Sequence, residues 1–166
     1  ELTDVFSIAE LQLLQDLFSN ATGVASIITM PDGSPVTSPT NFTKFCKEVV
    51  RKSPKGLRNC MRSDAELGKF YPNGPRIQTC LSSGLWDAGV SIVVGGKHLA
   101  NWMIGQVRNE DLDQSKIISY ANTIKVDPEL FKSAYLDVPV MSTAKFEEVA
   151  QLLYSIANNL SEKAYR

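Results

Sequence analysis

Cys46, Cys60 and Cys80 are the residues of this 166-residue chain most able to do chemistry. A thiolate binds soft metals and attacks electrophiles, whereas a buried neutral thiol is only a small hydrophobe. The three lie 14 and 20 positions apart and form no C-x-x-C pair, the short chelating unit of common zinc sites. Two readings stand side by side. The thiols are separate core residues, or they converge and hold a soft metal such as zinc with a fourth ligand or water.

The rest of the inventory excludes more than it offers. One histidine, His98, rules out a multi-histidine metal site and leaves no base for a catalytic triad. It follows Gly95-Gly96-Lys97, which places it in a solvent-facing turn. There is no nucleophile elbow, phosphate loop or dinucleotide fingerprint. Carboxylates are spread along polar helix faces, and no pair sits in an apolar setting that would tune one as an acid. Nothing in these residues argues for an enzyme.

The binding candidates lie in "TCLSSGLWDAGVSIVVGGKHLANWMIGQV", residues Thr79–Val107, which holds both tryptophans. Strand alternation puts Ala100, Trp102, Ile104 and Gln106 on one face, and Leu99, Asn101, Met103 and Val107 on the other. An indole beside a primary amide would give a cavity an apolar wall and a hydrogen-bonding group. Trp86 and Asp87 fall in a glycine-bounded stretch that reads as irregular, where they would cap the core or close a pocket.

These residues need elements to hold them. Ser7 and Glu10 make a capping box ahead of Ile8, Leu11, Leu14, Leu17 and Phe18, so an amphipathic helix runs from Ser7 to about Ser19. Val24–Met30 reads as a strand, "PDGS" as a turn, and a short second strand follows. "TNFTKFCKEVVRK" is a helix with Phe42, Phe45, Cys46 and Val49 on one face. "GLRNCMRSDAELGKF" is another, ended by "YPNGP". Ile77–Cys80 is a short strand. "VSIVVGGKHLANWMIGQV" is a strand, a Gly-Gly turn and a strand. Leu112–Ile124 reads as helical, and Asp127-Pro128 starts a helix that ends near Tyr135. In the last element Phe146, Val149, Leu153, Ile156 and Leu160 recur at spacings of 3, 4, 3 and 4, the a/d seam of a coiled coil. That seam either lies on the domain's own sheet or forms a parallel dimer helix.

Composition agrees with one globular unit: 43% hydrophobic, 21% charged, 17 Lys and Arg against 18 Asp and Glu. The near-neutral balance gives no reason to expect direct nucleic-acid binding. No run reaches the roughly 20 apolar residues of a membrane helix, and no signal peptide is visible. Three cysteines make no disulfide framework and fit a reducing cytoplasm. From the start at Glu1 rather than Met, the sequence is expected to be an excerpt.

"FCKEVVRKSPKGLRNCMRSDAELG" followed by "TCLSSGLWDAGVSIVVGGKHLANWMIGQV" resembles the PocR sensory domain. The resemblance rests on the Cys46 segment, on Cys60-x-x-Ser63-Asp64, on Cys80-x-x-x-Gly84-Leu85 and on Gly105-Gln106, and it spans nearly the whole chain. Where the family often carries a His after the third cysteine, this chain has Leu81. The resemblance implies a PAS-like α+β fold: an antiparallel sheet flanked by helices, with residues 1–141 as sensory domain and 142–166 as a helix leading to an output domain. That output is a histidine kinase, a cyclase or a DNA-binding domain. It implies a sensor of small organic molecules; with the cysteine usage, the lack of catalytic residues and the seam of the last helix, the expectation is a cytoplasmic, non-catalytic domain that is homodimeric through that helix. The expected ligand-binding residues are Cys46, Cys60, Cys80, Trp86, Asp87, Trp102 and Gln106. The alternative is a metal or redox sensor in which Cys46, Cys60 and Cys80 hold zinc.

Overall fold

The computed structural model describes residues 1–81, 83–108 and 114–165. Its centre is a four-stranded sheet in the order β1-β4-β3-β2, formed by β1 (Ala25–Thr29), β2 (Arg76–Thr79), β3 (Trp86–Val94) and β4 (Lys97–Val107). Every pairing is antiparallel. Helices flank the sheet, so the fold class is α+β, as expected.

Strand alternation splits the sheet into two unlike faces. One carries Ile28, Ala88, Val90, Ile92, Ala100, Trp102 and Ile104. It is covered by α2 (Ile8–Thr22), through Leu11 and Phe18, and by α6 (Thr143–Tyr165), through Phe146, Val149, Ala150, Leu153 and Ala157. The short α1 (Leu2–Val5) adds Leu2 to that core. Most of the heptad-like seam of α6 is therefore spent on the domain's own sheet. Phe146, Val149 and Leu153 are buried there, and packing continues unbroken across residue 142.

The other face carries Ala25, Ile27 and Thr29 of β1, Asp87, Gly89 and Ser91 of β3, and Asn101, Met103 and Gly105 of β4. Over it lie a π-helix (Phe45–Val50) and α3 (Pro54–Leu67), while α5 (Pro128–Leu136) packs on the π-helix and α4 (Gln114–Thr123) on α5. The π-helix, α4 and α5 share a second apolar core of Phe45, Val50, Ile117, Ala121, Phe131 and Tyr135, which includes all three cysteines.

Several local signals act as read. Ser7 accepts from the Glu10 N–H, and Asp127 accepts from the Leu130 N–H ahead of a helix with Pro at its first position. Four expectations need correction. The stretch after the "PDGS" turn pairs through isolated bridges, Thr29 with Pro35 and Ser26 with Thr40, and not as a strand, because Pro35 and Pro39 bring no N–H to a ladder. The Cys46 helix closes on an i→i+5 bond from the Arg51 N–H to the Cys46 carbonyl, 3.0 Å, so it is a π-turn. Trp86 and Asp87 begin β3 and do not sit in an irregular lid. His98 is half-buried in β4, with Nε2 2.7 Å from Asn101 Oδ1 and its ring against Phe70. The start of the Leu112–Ile124 helix lies outside the described residues, and the described part runs from Gln114 to Thr123.

One irregularity sets up the site. Trp86 pairs with Val107 while Asp87 pairs with Gly105, so Gln106 is an extra residue in β4. It has φ 60°, a left-handed backbone that few non-glycine residues adopt. This bulge breaks the alternation after Gly105. It sends Val107 into the core beside Trp102 and turns Gln106 to the opposite side.

Candidate functional site

Between the second sheet face and the α3 layer lies a cavity of about 540 Å³, well within the range of small-molecule sites. Its floor is Ala25, Ile27 and Thr29 of β1, Asp87 of β3, and Asn101, Met103, Gly105 and Gln106 of β4. Its roof is Cys46 of the π-helix, Arg51 just after it, and Cys60, Met61, Asp64 and Leu67 of α3. Cys80 and Leu85 close one side, and Pro31–Gly33 with Phe42 stand at the edge.

The structure thus gathers five of the seven expected residues: Cys46, Cys60, Cys80, Asp87 and Gln106. It separates the two tryptophans from them. Trp102 is completely buried on the other sheet face, edge-on to Phe18 with ring centroids 5.8 Å apart. Its Nε1–H donates to Ser26 Oγ at 2.7 Å. Trp86 is half-buried and packs against that same core. The reason is the bulge. Plain alternation counts Trp102 and Gln106 on one face, but the residue inserted at 106 flips the phase between them.

Each polar group is held in place by local structure. The Gln106 side-chain oxygen accepts from the Thr43 N–H at 2.7 Å, and Thr43 Oγ1 accepts from the Cys46 N–H at 3.1 Å. The bulge therefore anchors the start of the π-helix and, through it, Cys46. On α3, the inward face is Gly56, Cys60, Ser63 and Leu67. A Cβ on Gly56 would sit 2.2 Å from the Val50 carbonyl oxygen, so only glycine lets α3 come this close to the π-helix. Gln78 donates to the Ser63 carbonyl at 2.7 Å, and Ser63 Oγ accepts from Leu81 N–H at 3.1 Å, which brings Cys80 beside α3. Asn101 donates to the Gly68 carbonyl at 3.0 Å and fixes the far end of α3 to the floor.

Asp87 is the most perturbed group. Its Oδ1 accepts from the Gln106 N–H at 3.1 Å. The carboxyl occupies the space that a side chain at position 105 would fill: a Cβ on Gly105 would lie 2.0 Å from Oδ1. Burial, then the neighbouring Cys80, push its pKa well above the carboxylate range, against the Gln106 N–H and Arg51. Asp87 therefore stays protonated to higher pH than an ordinary carboxyl and can donate a hydrogen bond. Above it, Arg51 Nη2 and Asp64 Oδ2 pair at 3.1 Å, with side chains 32% and 42% exposed. Burial raises Asp64, while Arg51 pulls it down.

The thiols share the cavity, but they do not compose a metal centre. Among the described residues no three His, Cys, Asp or Glu side chains are arranged to hold an ion. The chemistry agrees. None of the three cysteines is in a disulfide, and all are buried. Burial pushes the Cys46 thiol up to about 12, partly relieved by its hydrogen bond with Thr43 and reinforced by Asp87 and Cys80. A metal needs thiolates, and so does a fast redox nucleophile; the pocket favours the neutral form of Cys46. The expected zinc set of Cys46, Cys60 and Cys80 does not fit this arrangement.

Sequence reasoning missed Arg51, Asp64, Thr29 and Asn101 as cavity residues. Asn101 was legible as the floor-side partner of Met103, since alternation separates both from Trp102. Arg51 and Asp64 come from different helices, and no spacing rule pairs them.

Comparison with known proteins then decides the lineage. A family described as the sensory domain found in PocR matches residues 4–165. The chain belongs to this family. The regulatory protein PocR of Salmonella typhimurium is 31% identical over 156 residues, covering 92% of this chain and 50% of that protein. The PocR-type chain described here thus spans about half the length of this curated relative. No solved structure matches it. Among the described residues, no helix of this PocR-type domain is long and apolar enough to cross a membrane.

Proposed function

We propose that this PocR-type domain is a non-catalytic sensor that binds a small organic molecule in the cavity between β1, β4 and α3. One observation carries the reading. A cavity of about 540 Å³ lies against the sheet, mostly apolar but ringed by Asp87, Arg51, Asp64, Gln106 and three buried cysteines. That is the composition of a small-molecule pocket, with an apolar body and a few placed polar groups. Among the described residues its lining holds no nucleophile–base pair of the familiar kind, since burial keeps the Cys46 thiol protonated and the chain's histidine lies outside the lining.

The sheet supplies a route for the signal. Asp87 faces the cavity, while its β3 neighbours Ala88 and Val90 face the core shared with α6. A ligand that fits one arrangement of the floor better than another shifts the population of α6 positions in proportion to that difference. In this reading α6 passes the shift to an output such as a histidine kinase, a cyclase or a DNA-binding domain, in a cytoplasmic homodimer. The apolar side chain Leu152, 50% exposed on α6, is available for that contact.

The test is a thermal-shift screen of small alcohols, amides, ketones and carboxylates against the wild type and Met103→Trp, which fills the floor. A ligand at 100 times its Kd stabilises by about 2.7 kcal/mol. Stabilisation of the wild type that disappears in a folded Met103→Trp protein supports the reading. A screen in which no compound raises the wild-type Tm rejects it.

A further inference from the structure

Folded proteins leave few buried polar atoms without a hydrogen-bond partner, because each orphan has given up its bonds to water without replacement. Among the described residues the orphaned side-chain atoms are Ser19 Oγ, Thr29 Oγ1, Arg51 Nε and Arg76 Nε. Two of these, Thr29 Oγ1 and Arg51 Nε, belong to residues that line the cavity. They come from opposite walls, Thr29 from the β1 floor and Arg51 from the helical roof. Thr29 is only 4% exposed, so water at the protein surface does not serve its hydroxyl. Arg51 has already committed Nη2 to Asp64, and its Nε–H stays unmatched.

Building on the sensing role proposed above, we infer that Thr29 Oγ1 and Arg51 Nε are the polar anchors of the cavity ligand, and that they select an uncharged molecule bearing carbonyl or hydroxyl oxygen. The requirement for oxygen follows from the donor set. Arg51 Nε–H only donates, so the ligand must present an acceptor to it, and Thr29 both donates and accepts. A pure hydrocarbon would leave both atoms orphaned and would bury them more deeply. The requirement for neutrality follows from the neighbours. Asp64 already occupies the adjacent guanidinium nitrogen, so a carboxylate placed on Nε would face a second carboxylate across one fork. An ammonium group would instead meet the Arg51 cation. Asp87, held mainly protonated by its burial, is compatible with a neutral guest.

The experiment uses butanamide and butan-1-ol as uncharged probes, with butanoate and butylammonium as charged ones. They are titrated into the wild type, Thr29→Val, Thr29→Ser and Arg51→Lys, with thermal melting and calorimetry as readouts. Valine matches the shape of threonine and removes the orphan. Thr29→Val should therefore raise the Tm of the ligand-free domain while weakening the binding of butanamide about fivefold, the worth of one hydrogen bond. Thr29→Ser keeps the hydroxyl and should retain affinity. Arg51→Lys keeps the cation beside Asp64 but lacks the Nε donor, and should weaken binding by a similar factor. Three results would overturn the inference while leaving the sensing role intact: affinity unchanged in both Thr29→Val and Arg51→Lys, a lower ligand-free Tm for Thr29→Val, or charged probes bound more tightly than neutral ones. If no probe binds the wild type, the sensing role itself fails along with the anchors.

Discussion

Replacing Asp87 by Asn should stabilise the domain at neutral and alkaline pH and change little in acid. The native carboxyl titrates well above the usual range, chiefly because it is buried and secondly because of Cys80. In the unfolded chain it titrates near about 3.9. Between those two values the native state holds one proton more than the unfolded state. Stability therefore falls as pH rises through this window, by at most about 1.4 kcal/mol per pH unit for one group. The contribution is fully present below the unfolded pKa and is lost once pH has passed the native one. Asparagine has no proton to lose, and its side-chain oxygen can still accept from the Gln106 N–H. For a chain of 166 residues, 1 kcal/mol corresponds to roughly 2–4 °C in Tm, so the gap between variant and wild type should widen by about 3–5 °C per pH unit. Urea unfolding followed by tryptophan fluorescence at half-unit steps from pH 4 to pH 9 measures the difference directly. Asp64 is also raised by burial, but it is present in both proteins and largely cancels. Parallel stability curves across that range would refute the reasoning, because they would mean that Asp87 is ionised and solvated in the native domain.

Three further outcomes follow from the same geometry. Trp102→Ala should cost about 3–5 kcal/mol in chemical denaturation, as for a large aromatic removed from a core, while leaving the ligand preferences of the folded fraction unchanged; altered selectivity would put the indole back in the site. Gly105→Ala should displace the Asp87 carboxyl and cost about 1–3 kcal/mol, and in a Gly105→Ala/Asp87→Gly double variant most of that loss should be recovered, as read by Tm. Cys46, with its thiol pushed up to about 12, should react with iodoacetamide at pH 8 at least about 100-fold more slowly in the native domain than in urea, as followed by peptide mass spectrometry; labelling at the unfolded rate would show a thiolate in the cavity.

The elements of this domain were largely written in local signals, because those signals act locally. The Ser7 cap, the Asp127-Pro128 start and the Gly95-Gly96 turn each need only neighbouring residues, and each appears where the pattern puts it. The convergence of Cys46, Cys60 and Cys80 followed from family resemblance rather than from spacing, since nothing in intervals of 14 and 20 residues makes thiols meet. Two features resisted sequence reading for the same physical reason: a single residue out of phase. The π-turn at Phe45–Val50 inserts one residue into a helix, and the bulge at Gln106 inserts one into a strand. Periodicity arguments assume a constant period, so they placed Gln106 beside Trp102 and missed the opposite face, where Asn101 and Met103 line the floor. Arg51 and Thr29 were invisible for another reason. Their importance lies in bonds they lack, and no sequence pattern encodes an unmet bond.

The bulge at Gln106 also constrains how this pocket can change over generations. Most binding sites drift by substitution, one side chain at a time and in graded steps. Here the corner that ties the floor to the π-helix exists because β4 carries at position 106 a residue that its pairing with β3 leaves unmatched. Loss of a single codon at that point would restore unbroken alternation, leaving Val107 opposite Trp86 and in the core while removing the side chain that turns back over the cavity. In the same event the Thr43 N–H would lose its acceptor and Asp87 Oδ1 its donor. Variation in strand length at this position is therefore an all-or-none character, and chains lacking the extra residue should differ from this one in what they detect, even where every other lining residue is the same.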